Sequence, residues 1–435
     1  MRSVVLALVV GSIFVGTTTG QNPDPAVKFG NPRPVTPELP LLPLAPPKPD
    51  EPPPLPPEGF GVDLPPGNLI LPEVRPPMPV AGPPIEVPPG PQFWADVDCL
   101  YWRSKGGLLP TLAAASFGSP SQAAPVNPLQ AILISDNRIN GTMQTGLQAS
   151  VGYWLDKPFG TGVEARYQGF LHNDSLAHYT GSPRTFLNRP FWNQAANVPA
   201  LLLLSTPSGS TAGRVSIGTS FDSFGMEANY LRRGPAMFSE SFHWIMGLRY
   251  WSLEEELFVE GSSRTGGMSM TTFDMFTTRN QFFGGQFGGK MSWTRNRFMI
   301  DMSMRMAVGA MLEDVSITGN STATLPSGAR IEAPGGFLAL ASNMADHSRT
   351  KLAWIRESQI SVSYAIHENV IFRVGYSLMY VSNVVRPGEQ IDLGINPTLL
   401  PFNASQSTAP ARPGFRFNEE TFFMYGVNLG LTVQF

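Results

Sequence analysis

The chain has one cysteine and five histidines, and no apolar run of the length that a membrane-crossing helix requires. The single thiol, Cys99, cannot close an intrachain disulfide. A disulfide-stapled secreted scaffold is therefore excluded, and Cys99 reads as an inert residue on a strand face. A spanning helix needs about 18–20 consecutive apolar residues, whereas beyond the N-terminus the longest runs resemble Ala200 to Leu204. With a mean hydropathy of -0.04, a helical membrane bundle is excluded. Charge is scarce as well: 14% of residues are charged, against the usual quarter. The net charge of -3 leaves no basic surface for a nucleic acid.

Residues 1–20 read as a secretory signal. Arg2 supplies the positive charge, Val4 to Val15 a short apolar core, and Thr18 and Gly20 the small residues before a cut ahead of Gln21. Residues 21–92 hold 26 of the 43 prolines. Proline fixes φ and removes the backbone donor, so neither helix nor sheet propagates there. The segment reads as a disordered periplasmic linker, on the order of 200 Å at full extension. Contact with the cell wall through it is the sharper reading.

Residues 93–435 carry a different pattern. At the C-terminus Phe423, Tyr425, Val427, Leu429, Leu431, Val433 and Phe435 alternate with small or polar residues such as Gly426, Asn428, Gly430 and Thr432. Strict period-2 alternation makes one oily and one wet face, as a strand with lipid outside and water or side chains inside requires. Tyr425, Val433 and Phe435 are read as the signal for the outer-membrane assembly machinery. Alternation places nine further strands near 93–102, 142–154, 161–171, 215–232, 240–257, 276–293, 297–312, 354–366 and 370–382. Short turns at 156–160, 233–236, 294–296 and 367–369 alternate with long connections at about 103–141, 172–214, 258–275, 313–353 and 383–419.

That asymmetry belongs to an all-β, transmembrane, antiparallel up-and-down barrel with long external loops, whose partner is outer-membrane lipid. Ten strands are expected, or twelve if 129–135 and 198–205 also cross. The face opposite the aromatics carries Glu164, Arg166, Arg249, Lys290, Arg297, Asp301, Arg305 and Arg373. These are expected inside, because Arg or Lys on the lipid face near the midplane costs about 2–4 kcal/mol.

Several short stretches resemble one family in order: Phe93-Trp-Ala-Asp-Val-Asp-Cys-Leu-Tyr-Trp102, Gly152-Tyr-Trp-Leu-Asp156, Gly247-Leu-Arg-Tyr-Trp-Ser-Leu-Glu-Glu-Glu256, Asn280-Gln-Phe-Phe-Gly-Gly-Gln286, and Arg386-Pro-Gly-Glu-Gln-Ile-Asp392 followed by Asn396-Pro397. Over most of 93–435 the chain resembles the outer-membrane β-barrel, porin-like proteins of planctomycete bacteria. The resemblance implies a barrel in the outer membrane and carries no catalytic residue with it.

His172, His178, His347 and His367 fall in predicted loops or turns, and His243 lies on a strand, facing inward. No nucleophile, base and orienting group are specified together, so the chain does not read as an enzyme. The spacing of His172 and His178 matches no standard metal site. The run Gly284–Gly289 lies in a strand, where glycine bends the chain or leaves room rather than cradling phosphate; no metal or cofactor is expected. The 386–392 and 396–401 stretches read as an ordered loop capping the rim, with an inward plug as the other reading. The expected function is a passive porin-like channel for small solutes with some anion preference. A barrel plugged by its own Arg–carboxylate pairs is the alternative, since eight strands are filled by side chains while sixteen leave a channel.

Overall fold

The structure is a computed structural model that describes residues 92–116, 131–133, 138–156, 160–235, 241–403 and 408–435. The expected leader and residues 21–91 of the proline-rich segment lie outside the described residues.

Ten long strands make one closed antiparallel barrel. They are β1 (Phe93–Ser104), β2 (Met143–Asp156), β3 (Thr161–Thr180), β4 (Thr211–Arg233), β5 (Ser241–Thr265), β6 (Met268–Arg295), β7 (Phe298–Thr324), β8 (Ala345–His367), β9 (Val370–Val385) and β10 (Glu419–Gln434). Each pairs with its chain neighbours. The ring closes where β1 meets β10, from Trp94 opposite Gln434 to Ser104 opposite Met424. Of the expected crossings at 129–135 and 198–205, the described residues do not enter the wall. Ala131–Leu133 and Val198–Ser205 are strands of a separate small sheet, built with Ala114–Ser116, Phe186–Asn193 and Gly394–Ile395 from the loops.

Near the short turns the outer face is apolar. On β5 Trp244, Met246 and Leu248 are exposed, and on β7 so are Phe298, Ile300, Met302, Met304 and Val308. This is the lipid-facing belt, and Cys99 shares it with Val97 and Tyr101. Farther along the same strands the polarity inverts. Inside, Trp251, Leu253, Leu257 and Val259 of β5 are buried. Outside, Glu254 pairs with Arg279 of β6 at 2.8 Å, and Ser348 donates to Asp314 at 2.5 Å. The backbone ladder continues past the membrane, but its inner face becomes that of a water-soluble barrel.

This inversion corrects the connection expected at 258–275. β5 and β6 run on to a tight turn at Gly266 and Gly267, which hold positive φ of 56° and 84°. An oily outer face marks only the part of a strand that touches lipid. The strands β3 to β8 are therefore longer than that pattern shows. In the upper barrel, Leu109 and Leu112 of the β1–β2 loop, Leu187 and Leu204 of the β3–β4 loop, and Phe337 to Leu340 of the β7–β8 loop pack against inward Val215, Leu257, Phe276 and Val315.

Candidate functional site: the barrel interior

Register builds the central layer. Arg166 of β3 stands opposite Glu227 of β4, and Glu227 stands opposite Arg249 of β5. On the other wall Arg305 of β7 stands opposite Glu357 of β8. Alternation points all five inward, and opposite charges on neighbouring strands attract. Arg166 reaches Glu227 at 3.0 Å, and Arg249 reaches it at 3.4 Å. Glu357 spans the bore: it accepts hydrogen bonds from Arg166 and, at 2.7 Å, from Arg249. Glu164 lies 3.6 Å from Arg305. Gln286 donates to Glu227 at 2.9 Å, and Asn229 donates to Glu164 at 3.0 Å. Three arginines and three glutamates thus cancel in one buried layer.

Below this layer, towards the short turns, Arg373 holds Asp98 at 2.8 Å and Asp96 at 3.4 Å. The arrangement needs Gly430, where a Cβ would sit 1.8 Å from the Asp98 carboxylate. A polar cavity of about 40 Å3, room for a water, lies between this group and the central layer. Beneath it opens a vestibule of about 500 Å3 to which each of the ten strands contributes. Trp94, Trp154, His243, Lys290 and Asp301 are among its walls.

Above the charged layer the wall side chains themselves meet. Leu100, Trp102, Phe221, Trp251, Phe282, Met311, Ile355, Met379 and Phe422 belong to an apolar layer in which no residue is more than 7% exposed. Trp102 donates its indole N–H to Asn428 at 2.6 Å, which satisfies the polar atom of the largest ring. Higher still, Arg386 is fully buried. It donates twice to Glu255, at 2.7 and 2.6 Å, and also to the Lys105 carbonyl at 2.7 Å and to Glu420 at 3.2 Å. The 386–395 stretch therefore folds into the barrel, not over its rim. A buried guanidinium is held only where carboxylates meet it, and Glu255 supplies the inward one. Next along, Glu389 has its carboxyl pushed up by burial and by the neighbouring Glu420.

A family model for "Putative beta barrel porin-7 (BBP7)" matches residues 94–435. The chain belongs to this BBP7 family. No curated protein matches it in sequence. Among solved structures, the outer membrane protease OmpT from Escherichia coli is similar over 79% of this chain and 97% of its own, at 9% identity and a TM-score of 0.34. The toluene transporter TbuX of Ralstonia pickettii is similar over 80% and 90%, at 10% identity and a TM-score of 0.16. An anion-selective porin from Comamonas acidovorans is similar over 79% and 98%, at 6% identity and a TM-score of 0.15. At such scores neither proteolysis nor transport is carried over to the BBP7 barrel.

Within this BBP7 barrel the central layer holds Glu164, Arg166, Arg249 and Arg305, all buried. Arg373, Lys290 and Asp301 line the lower cavities. Arg297 is the exception: it lies exposed in the turn after β6 ends at Arg295 and before β7 starts at Phe298. Asn296 beside it holds a positive φ of 57°, so strand alternation does not apply there. Glu227, Glu357, Glu255 and Arg386 were not among the expected interior charges. Glu227 and Glu357 carry the ordinary signal, since both alternate with outward neighbours, Met226 on β4 and Ile360 on β8. Tyr425 and Val433 lie on the outer face of β10.

Proposed function

We propose that this porin-like barrel is closed to free solute diffusion and serves as a rigid membrane base for its folded external part. One observation carries the reading: the bore is sealed by side chains of the wall itself, first by Glu357 spanning to Arg166 and Arg249, then by the apolar layer above. Moving a loop aside removes neither seal. Ten strands leave little more room than the eight whose interior side chains fill. No catalytic role is assigned. Export by residues 1–20 and a link to the cell wall through 21–92 belong to this proposal, supported by their composition; deleting 21–92 is expected to release the protein from isolated cell walls.

The second reading is passage of small solutes, with an anion preference. Family membership supports it, and so does the polar lining from the vestibule up to the central layer. Single-channel recording in a planar bilayer, with refolded and inserted protein, separates the two. The closed reading expects a silent bilayer. Discrete, salt-dependent steps would overturn it, and anion selectivity of those steps would assign them to the inward arginines.

A further inference from the structure

We propose that the outer wall at the foot of β4 to β6 holds an anionic phospholipid of the periplasmic leaflet, its phosphate at Arg232 and its acyl chain on the belt above. The site rests on the lipid-facing belt and not on whether the bore is closed. Short turns face the periplasm in barrels of this type, so the β4–β5 and β6–β7 turns lie at the headgroups of that leaflet. Alternation runs outward along β4 through Met226, Ala228 and Tyr230 and then reaches Arg232. Register sets Arg232 opposite Trp244 of β5, and Met246 opposite Phe287 of β6 one step farther into the belt. These four border a groove of about 450 Å3 in the outer wall. Gly234 lets the rings lie down over the turn: a Cβ there would sit 2.4 Å from Phe242 and 3.0 Å from the Trp244 indole nitrogen. The indole N–H therefore stands at the rim, where tryptophan is favoured in membranes.

Charge selects the headgroup. By sequence the β4–β5 and β6–β7 turns carry Arg232, Arg233, Arg295 and Arg297 against Glu240, while the β2–β3 and β8–β9 turns carry Lys157 against Asp156 and Glu368. One side of the periplasmic rim is thus basic and the other is not. In the embedded stretches of β4 to β7 the acids are Glu227 and Asp301, and both face the interior. The ammonium of a zwitterionic headgroup therefore finds no acid on this wall. Arg232, Arg295 and Arg297 are exposed, and their guanidinium groups make no hydrogen bond or ion pair among the described residues; the Trp244 indole N–H has no acceptor there either. Arginine takes a phosphate with two parallel hydrogen bonds, and the indole, a donor only, serves a further oxygen. Snorkelling to water would satisfy one arginine, but it accounts neither for the bias of the rim nor for the apolar groove directly above Arg232.

The test is native mass spectrometry of the full refolded chain, released from micelles that hold phosphatidylglycerol and phosphatidylcholine of the same acyl chains in equal amounts. Preferential retention of one phosphatidylglycerol is expected. Each arginine near an anionic lipid surface contributes about 1 kcal/mol, or about fivefold, so Arg232→Gln should reduce that preference about fivefold. Arg103→Gln, outward at the far end of β1, should leave it unchanged. Trp244→Phe keeps the ring and removes the donor; it should weaken retention too, and it serves if Arg232→Gln does not fold. Equal retention of the two lipids, retention of neither, or a preference unaltered in the folded variants would overturn the proposal. Bilayer conductance decides the closed-bore reading and lipid retention decides this site on the outer wall, so the two fail independently.

Discussion

Glu357 is the acid that ties the two walls of the bore together, and Glu357→Gln is the most informative single change. The carboxylate is 1% exposed, accepts from Arg166 and Arg249, and lies 4.0 Å from Arg305. Neutralising it leaves three arginines facing two glutamates in a layer without bulk water. Two hydrogen bonds to charged groups are worth about 1.5–3 kcal/mol each. Breaking a buried pair by removing one partner costs about 3–5 kcal/mol. Both routes give the same expectation, a loss of about 3–5 kcal/mol. Urea unfolding of the barrel in lipid vesicles, followed by tryptophan emission, measures it. A loss below about 1 kcal/mol is what hydrated ion pairs show. That result would mean that water fills the bore at this level, and the closed-barrel argument would fall with it.

Three further outcomes follow from the same geometry. Arg386→Met strands Glu255 in a buried site, so the upper barrel should lose about 3–5 kcal/mol, read as faster proteolysis of the β9–β10 loop; conductance should stay absent, because the apolar layer beneath belongs to the wall. Val374→Arg, on the exposed face of the belt, should cost about 2–4 kcal/mol if it lies near the midplane, whereas Arg297→Ala in its exposed turn should stay within about 0.5 kcal/mol; unfolding in vesicles compares them. Glu389 has a raised pKa in the fold, so the folded state binds its proton more tightly than the unfolded state does, and stability falls as pH rises through that window. Glu389→Gln should therefore be more stable than the parent at neutral pH and equal to it below the unfolded carboxylate range of about 4.3, which unfolding curves at about pH 3 and about pH 8 test.

The membrane-embedded half was legible because lipid imposes a rule on each outward residue. Trp244, Met246 and Leu248 alternate with His243, Gly247 and Arg249, and the structure places the two sets on opposite faces. The small inward residues of β10 also have their reason: a Cβ at Gly426 would come within 2.5 Å of Trp102. The upper half obeys no such rule. Leu257 and Val259 point inward there while Glu254 and Glu256 point outward, so the apolar set changes face without any break in the strand. The burial of Arg386 was illegible for a different reason. Its partner Glu255 lies 131 positions away in the chain, and only the closed ring brings the two together.

The change of face along β5, β6 and β7 has a mechanical meaning. At about 3.3 Å per residue and a tilt near 40°, two residues of strand climb roughly 5 Å. If the barrel sank by that much, the Glu254–Arg279 pair on the outer face would move towards hydrocarbon; if it rose, the belt leucines and methionines would meet water. Both displacements are uphill. The seam between the two polarities therefore fixes the depth at which the protein floats, and the upper barrel is carried at a set height above the bilayer.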